Sequence, residues 1–364
     1  MISDHMRRAL ALAEGVLGAT SPNPSVGCVL VRDGAVVGEG ATQPPGGAHA
    51  EVMALRQAGA AAKGATAYVT LEPCSNQGRT GPCADALIAA GVVSVRVALE
   101  DPDVKVAGSG LARLRAAGID VEAGDGEAES RRLLEAYLKH RLTGLPFVTV
   151  KFAATLDGKI AASSGDSRWV AGAEARAWAH EHRTRIDAIM CGVNNVLLDD
   201  PQLTARPGGV AAERQPLRIV ADSRGRTPLD AKVLGPGGKT LIATTAAAPA
   251  AWRARVEATG AEALVLPAGA SGRVDLRELM RLLGERGVLS LLCEGGGVLH
   301  AGLFAAGLVD KVHAIIAPKI VGGTAYPAVA GEGAARMADA ITLRDIATQR
   351  LGDDVVIVGY VGGQ

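Results

Sequence analysis

Aromatic residues are scarce in this chain, at 3% of the sequence, and its formal net charge is zero. Nucleic acids are held by cationic grooves and stacked rings, so neither a nucleic acid nor an anionic membrane is an expected partner. Long apolar runs are missing too, because glycines and charged residues interrupt each hydrophobic stretch before membrane-spanning length. The opening "MISDHMRRALALAEGVLGA" has acidic and polar breaks where a secretory signal needs a continuous apolar core. Cysteines are few and odd in number, five in 364 residues, which argues against a disulfide framework. These absences point to a cytoplasmic protein. What is present is ordinary for a globular chain, 48% hydrophobic and 21% charged, and the length suggests two domains.

The first part alternates helix and strand signals. "DHMRRALALAEGVLGA" reads as a helix with Asp4 as N-cap, and "SVGCVLVRDGAVVGEG" as a hairpin turning at Asp33-Gly34. A helix over 49–58, a strand in "ATAYVTLEP", a short helix in "PCADALIAAG" and a strand in "VVSVRVALED" follow. "GLARLRAAG" and one long amphipathic helix, "EAESRRLLEAYLKHRLTG", complete a three-layer α/β unit expected over residues 1–143. Gly144 and Pro146 break the helix, and a second unit, 147–364, starts with a strand at Phe147. Its strand candidates are "AIMCGVNNVL", "PLRIVADS", "KTLIATT", "AEALVLP", "LSLLCEGGG" and "DKVHAIIAP". Helices between several of them predict a mostly parallel sheet covered on both faces.

His49 and Glu51 stand two positions apart in "GGAHAEVMALRQAG", where a helix is expected to begin. Alone the pair is common, since Glu at a helix start complements the macrodipole. Downstream, "TLEPCSNQGRTGPCADAL" places Cys74 and Cys83 each after a proline, at the start of a turn or helix whose free N–H groups favour thiolate. An imidazole and two thiolates make a tetrahedral zinc site with one position open, the catalytic arrangement, whereas structural zinc usually has four protein ligands. A water there has its pKa lowered toward neutrality, and Glu51 is placed to take and return protons. The pattern departs from the zinc-deaminase signature H-x-E…P-C-x-x-C by having eight residues between the cysteines. The bland alternative makes Cys74 and Cys83 small buried hydrophobes, as Cys28, Cys191 and Cys293 are read within their strands.

In the second unit, "CEGGGVLHAG" follows a strand and opens a helix, so backbone can approach a phosphate at the helix N-terminus, or it is a plain turn. Asp199-Asp200-Pro reads as a turn or cap. Lys151 points into a cleft or snorkels at the surface.

These stretches resemble the bifunctional riboflavin-biosynthesis deaminase/reductase family. The matching pieces are "SPNPSVGCVLV", "HAEVMAL", "ATAYVTLEPCS", "GRTGPCADAL", "VTVKFAATLDGKIA", "DSRWV", "RTRIDAIMCGVNNVLLDDPQLTAR" and "EGGGVLHAGLFAAGLVDKVHAIIAPKIVGG". The resemblance implies a cytidine-deaminase-like first domain and a dihydrofolate-reductase-like second one. It implies zinc-dependent deamination of a diaminopyrimidinone carrying a ribosylamino phosphate, then reduction of the ribosyl group to ribityl by NADPH. His49, Cys74 and Cys83 are then zinc ligands, Glu51 the proton shuttle, and Asn23 a contact to the pyrimidine. On the reductase side, Lys151 and Asp199 are implied to orient or protonate the ribosyl group. Ser167, Arg183, Leu203, Arg206 and Glu294 lie around the substrate, with the two arginines on its phosphate. Ala153, Trp169, Asn195, Asp199, Gly295, Gly296 and Gly297 lie around NADPH, although Trp169 alone would also suit a core. The family usually has histidines near positions 42 and 76, where this chain has Thr42 and Asn76. A homo-oligomer is the expected assembly. On the residues alone, a nucleic-acid deaminase with a binding module, or a binding protein clipped by structural zinc, are the rival classes.

Overall fold

The computed structural model describes residues 2–76, 81–103 and 106–362; residues 78–80 of the quoted "GRTGPCADAL" stretch lie outside them. The chain divides into two compact units, residues 1–144 and 145–364.

The first unit runs α1 (Asp4–Gly15), β1 (Gly27–Arg32), β2 (Ala35–Ala41), α2 (Ala50–Ala58), β3 (Thr66–Val69), α3 (Cys83–Ala89), β4 (Ser94–Val97), α4 (Ser109–Ala116), β5 (Asp120–Ala123), α5 (Glu127–Leu133) and α6 (Glu135–Thr143). The strands form one sheet in the order β2-β1-β3-β4-β5. β1 is antiparallel to both its neighbours, and β3, β4 and β5 are parallel. The β1–β2 hairpin turns where expected, with Asp33 and Gly34 at φ 51° and 77°, the left-handed pair that a two-residue turn needs. Two sequence expectations change. Ser3, not Asp4, caps α1, its hydroxyl accepting from Met6 N at 3.2 Å. The long amphipathic helix is two, α5 and α6, interrupted at the buried Leu134 (φ −98°, ψ 12°).

What matters for function is how closely α2 lies on the sheet. A Cβ on Gly40 of β2 would stand 2.5 Å from Met53 Cβ and 2.7 Å from Ala50 O. Glycine there lets the helix carrying His49 and Glu51 settle directly onto the strand.

The second unit runs β6 (Phe147–Thr155), α7 (Ala173–Thr184), β7 (Ala188–Gly192), α8 (Val193–Asp199), β8 (Leu217–Ala221), β9 (Thr240–Thr244), α9 (Ala250–Glu257), β10 (Glu262–Val265), α10 (Leu276–Glu285), β11 (Ser290–Cys293), α11 (Gly297–Ala305), β12 (Lys311–Ala317), β13 (Leu343–Leu351) and β14 (Asp354–Val361). Its nine-stranded sheet has the order β10-β9-β8-β7-β11-β6-β12-β14-β13. All neighbours from β10 to β12 pair in parallel, and the β13–β14 hairpin adds antiparallel strands at one edge. Both faces are covered. Ala188 and Met190 of β7 pack with Leu279, Leu283 and Leu303 of α10 and α11, and Ile189 and Cys191 pack with Val196 and Val256 on the opposite face. This period-two alternation of apolar residues is why the strand reads as buried on both sides. "AIMCGVNNVL", expected as one strand, is strand only to Gly192. Val193 and Val196, buried three residues apart, belong to α8. Among the described residues no helix is long and apolar enough to cross a membrane.

Candidate active sites

In the first unit, His49 is the N-cap of α2, Cys74 follows the end of β3, and Cys83 is the first residue of α3. His49 Nδ1 lies 3.6 Å from Cys74 Sγ and 3.3 Å from Cys83 Sγ, and all three ligand atoms fall within 4.8 Å of one another. Tetrahedral bonds of about 2.3 Å to sulfur and about 2.05 Å to nitrogen require N–S separations of about 3.6 Å, so the three atoms fit a zinc ion. The two cysteine segments are tied by Ala84 N donating to Cys74 O (3.1 Å), and Cys83 N donates to Cys74 Sγ (3.4 Å). The Cys83 side chain also hydrogen-bonds Cys74 and brings its thiol down to about 4, with His49 assisting; the same bond, and then burial, pushes Cys83 upward.

Glu51 sits in the first turn of α2, 3% exposed, and burial pushes its carboxyl up to about 7. Asn23 is half-buried in the turn before β1, where Asn23 N donates to Thr20 O and the Thr20 hydroxyl donates to Asn23 O. Thr42 is buried and its hydroxyl accepts from Val26 N (3.2 Å), so the residue in place of the family's histidine braces the start of β1.

Glu72 escaped the sequence reading. Its buried carboxylate accepts from four backbone N–H groups, Asp101 (3.1 Å), Gly108 (3.0 Å), Gly110 (2.8 Å) and Leu111 (3.3 Å). It thereby anchors the loop before α4 two residues from Cys74. Partners 29 to 39 positions away leave no local signal in the sequence.

In the second unit a cavity of about 1830 Å³ opens at the C-terminal ends of the parallel strands, the usual place for a ligand in an open α/β sheet. Lys151, Ala153, Ser167, Trp169, Arg183, Asn195, Asp199, Leu203, Arg206, Glu294, Gly295, Gly296 and Gly297 all line it. At its centre Glu294 accepts from Arg183 Nε and Nη2, both at 2.7 Å, with Lys151 Nζ 3.7 Å away. Burial works against the Glu294 charge, but Arg183 and Lys151 outweigh it and hold the carboxyl well below the usual range. Arg183 also donates to Thr204 O (2.9 Å), so the guanidinium expected on a phosphate is occupied by protein. Arg206 bonds the side chains of Gln202 and Thr204.

Asp199 ends α8 and accepts from the Ser167 hydroxyl at 2.7 Å, while Asp200 in the left-handed conformation caps the helix. Cap and cavity roles coexist in that dipeptide. Lys151 is not a snorkelling lysine, since only 15% of its side chain is exposed. Trp169 is 62% exposed, which excludes a core role, and its ring faces the Arg176 guanidinium at 4.5 Å. The glycine run approaches its neighbours closely: a Cβ on Gly295 would lie 2.8 Å from Asn195 Nδ2, and one on Gly297 2.2 Å from Pro327 O. α11 begins at Gly297, which lines the cavity, so the positive end of the helix stands at the cavity's edge. Cys28, Cys191 and Cys293 are buried, as read from their strands.

Comparison with known proteins matches one family model to each end of the chain. The family model for the cytidine and deoxycytidylate deaminase zinc-binding region matches residues 1–99, and that for the RibD C-terminal domain matches 146–357. Similar relatives include the riboflavin biosynthesis protein RibD of Synechocystis sp., 42% identical over 100% of this chain and 98% of that protein. RibD of Escherichia coli K12 is 42% identical over 97% of each chain. Among solved structures, Acinetobacter baumannii RibD is 36% identical with a TM-score of 0.89, covering 99% of this chain and 98% of that one. A deaminase/reductase from Thermotoga maritima is 30% identical, with a TM-score of 0.86 and 98% of each chain covered.

Proposed function

The chain belongs to the RibD family of riboflavin-biosynthesis proteins, and from that premise we propose a role for each residue of its two sites. It is a bifunctional enzyme, a zinc-dependent deaminase and an NADPH-dependent reductase. We assign the deaminase to residues 1–143 and the reductase to 147–364. The Thermotoga maritima relative is described as a diaminohydroxyphosphoribosylaminopyrimidine deaminase and 5-amino-6-(5-phosphoribosylamino)uracil reductase, and we extend those substrates to this chain.

His49, Cys74 and Cys83 hold the zinc ion, a reading carried by their mutual distances. Bound there, zinc supplies a Lewis acid that brings the pKa of a coordinated water toward neutrality. Glu51 takes the proton released as the water attacks the 2-amino carbon of the pyrimidine, then delivers it to the departing ammonia. Its burial keeps that proton from exchanging with bulk solvent. Asn23 orients the base.

In the reductase, NADPH supplies a hydride to C1 of the ribosyl group. Lys151 and Asp199 orient the sugar and deliver the proton its ring oxygen gains as the ring opens. Glu294 holds Lys151 near, its Nζ 3.7 Å from the carboxylate. Arg183, already engaged by Glu294 and Thr204, positions that carboxylate at the edge of the substrate pocket, and Arg206 is the guanidinium for the substrate phosphate. Ser167 and Leu203 flank the substrate; Ala153, Trp169, Asn195 and Gly295–Gly297 flank the cofactor.

The enzyme self-associates along β13, an edge strand whose residues from Arg344 to Arg350 are all exposed and which carries Ile346 outward. Five free cysteines suit the reducing cytoplasm. The direct test incubates pure protein with the diaminopyrimidinone phosphate and NADPH, reading ammonia and NADPH together. Equal yields are expected; NADPH oxidation with no ammonia released from the diamino substrate would overturn the assigned order.

A further inference from the structure

β3 and β4 are parallel neighbours, so the segments that follow them leave the same edge of the first unit's sheet side by side. Cys74 lies on one segment, and Asp101 and Asp103 lie on the other. Glu72 N donates to Leu99 O at 2.9 Å, which carries the pairing past the ends of the strands. Beyond that step the Glu72 side chain takes over. Its Oε2 accepts from Asp101 N and Gly108 N, and its Oε1 from Gly110 N and Leu111 N. One carboxylate thus closes both ends of the stretch 101–108. Two of its four donors come from the first turn of α4, where backbone N–H groups have no acceptor within the helix.

The same contacts frame Cys74. A Cβ on Gly110 would lie 2.0 Å from Pro73 O, so the start of α4 meets the residue before Cys74 backbone to backbone. The residue after it is held too, with Ser75 Oγ 2.6 Å from Ser109 Oγ. Residues 72, 73 and 75 are therefore all fixed against α4, and the Cys74 thiol is left facing His49 and Cys83.

The pinned stretch has a second side. Asp101 is buried and accepts from Tyr137 Oη at 3.0 Å and from Asp103 N at 2.9 Å. One turn along α6 from Tyr137, Arg141 Nε lies 3.6 Å from Asp103 Oδ2, and Arg141 Nη2 donates to Pro22 O at 3.4 Å. Pro22 precedes Asn23, the residue read as the contact to the base. The stretch that Glu72 closes is thus tied through α6 to the turn carrying Asn23, and forms a wall beside it.

We propose that Glu72 is a positioning residue of the deaminase, acting on zinc through Cys74 and on the pyrimidine through the wall at 101–103. It touches neither the ion nor the reacting carbon. The inference rests on the zinc-deaminase reading and adds the group that holds metal ligand and pocket wall in one register. Gln in its place keeps the length and one acceptor oxygen, but its amide N–H groups face backbone donors. Donors left without an acceptor release the Cys74 segment and the wall together.

Full-length wild type, Glu72→Gln, Glu72→Asp and Tyr137→Phe are compared in three ways. These are zinc affinity by chelator competition, the absorption spectrum of the cobalt-loaded protein, and KM and kcat of ammonia release at saturating zinc. Glu72→Gln is expected to weaken zinc by about 10- to 100-fold, the usual effect of losing a group behind a metal ligand, and to change the cobalt spectrum. KM for the diaminopyrimidinone phosphate should rise about tenfold, with kcat falling less than KM rises. Glu72→Asp, with its charge on a shorter arm, should lie between wild type and Glu72→Gln. Tyr137→Phe leaves the Cys74 frame alone, so KM should rise while zinc affinity and spectrum stay unchanged. A Glu72→Gln protein with wild-type zinc affinity, spectrum and KM, and only a lower thermal midpoint, overturns the proposal by making Glu72 a stabiliser of the fold. Where neither Glu72 variant folds, an unchanged KM in Tyr137→Phe overturns it. Failure of the deaminase reading shows separately, as no ammonia from zinc-loaded wild type whatever the variants do to metal affinity.

Discussion

Replacing Glu294 by Gln removes one negative charge and almost no volume from the centre of the reductase cavity. Glu294 is 9% exposed and accepts two 2.7 Å bonds from Arg183, with Lys151 at 3.7 Å. Both cations lose their counter-charge while staying buried, for which the usual cost is about 3–5 kcal/mol. Gln keeps one oxygen for one guanidinium N–H, and Arg183 keeps Thr204 O, so the lower end, about 3 kcal/mol, applies. All three tryptophans, Trp169, Trp178 and Trp252, lie in the second unit, so intrinsic fluorescence in urea reports that unit alone. At a slope of about 3 kcal/mol per molar, the midpoint should fall by about 1 M. Arg183→Met should cost a similar amount, and the double variant less than the two together by about 2 kcal/mol, because it leaves neither partner of the pair stranded. Unchanged stability in Glu294→Gln, or costs that simply add, would refute the reasoning.

Glu51→Gln should retain zinc and fold but release ammonia about 10²–10⁴ times more slowly; near-wild-type turnover would remove Glu51 from the proton path. Gly297→Ala places a Cβ 2.2 Å from Pro327 O, so the start of α11 must shift. NADPH oxidation should fall sharply in that variant while ammonia release persists, which a coupled assay reads in one cuvette. Burial, with His182, Lys311 and Lys151 nearby, brings the His313 imidazole down to about 3 from an ordinary 6.5. Below pH 6.5 the unfolded chain therefore takes a proton that the fold refuses, and stability falls as pH drops from 6.5 toward 3. The loss at pH 5 is about 2 kcal/mol; in His313→Phe the decline over that window should be shallower in fluorescence-monitored unfolding.

The zinc triad was legible because metal chemistry accepts so few residue types, and His49, Cys74 and Cys83 lie close in sequence. The β1–β2 hairpin was legible for a similar reason: Asp33-Gly34 is among the few pairs that tolerate two positive φ values. β13 and β14 were not among the strand candidates. Leu343–Leu351 is exposed along nearly its whole length, so no buried face imposed an alternating pattern on it. Part of a helix was read as strand at Val193–Asp199, since a short apolar run has no decisive period. Tertiary partners were the least accessible. Nothing near Arg183 announces Glu294, 111 positions away, and nothing near Glu72 announces Gly110.

The central claim is that His49, Cys74 and Cys83 grip one zinc ion that the deaminase uses. Elemental analysis of chelator-free protein, beside a Cys83→Ala variant of verified fold, measures it directly. About one zinc per wild-type chain is expected, with loss of most of it, and of ammonia release, in the variant. Full zinc in Cys83→Ala, or ammonia released at the wild-type rate by a chain stripped of metal, would contradict it.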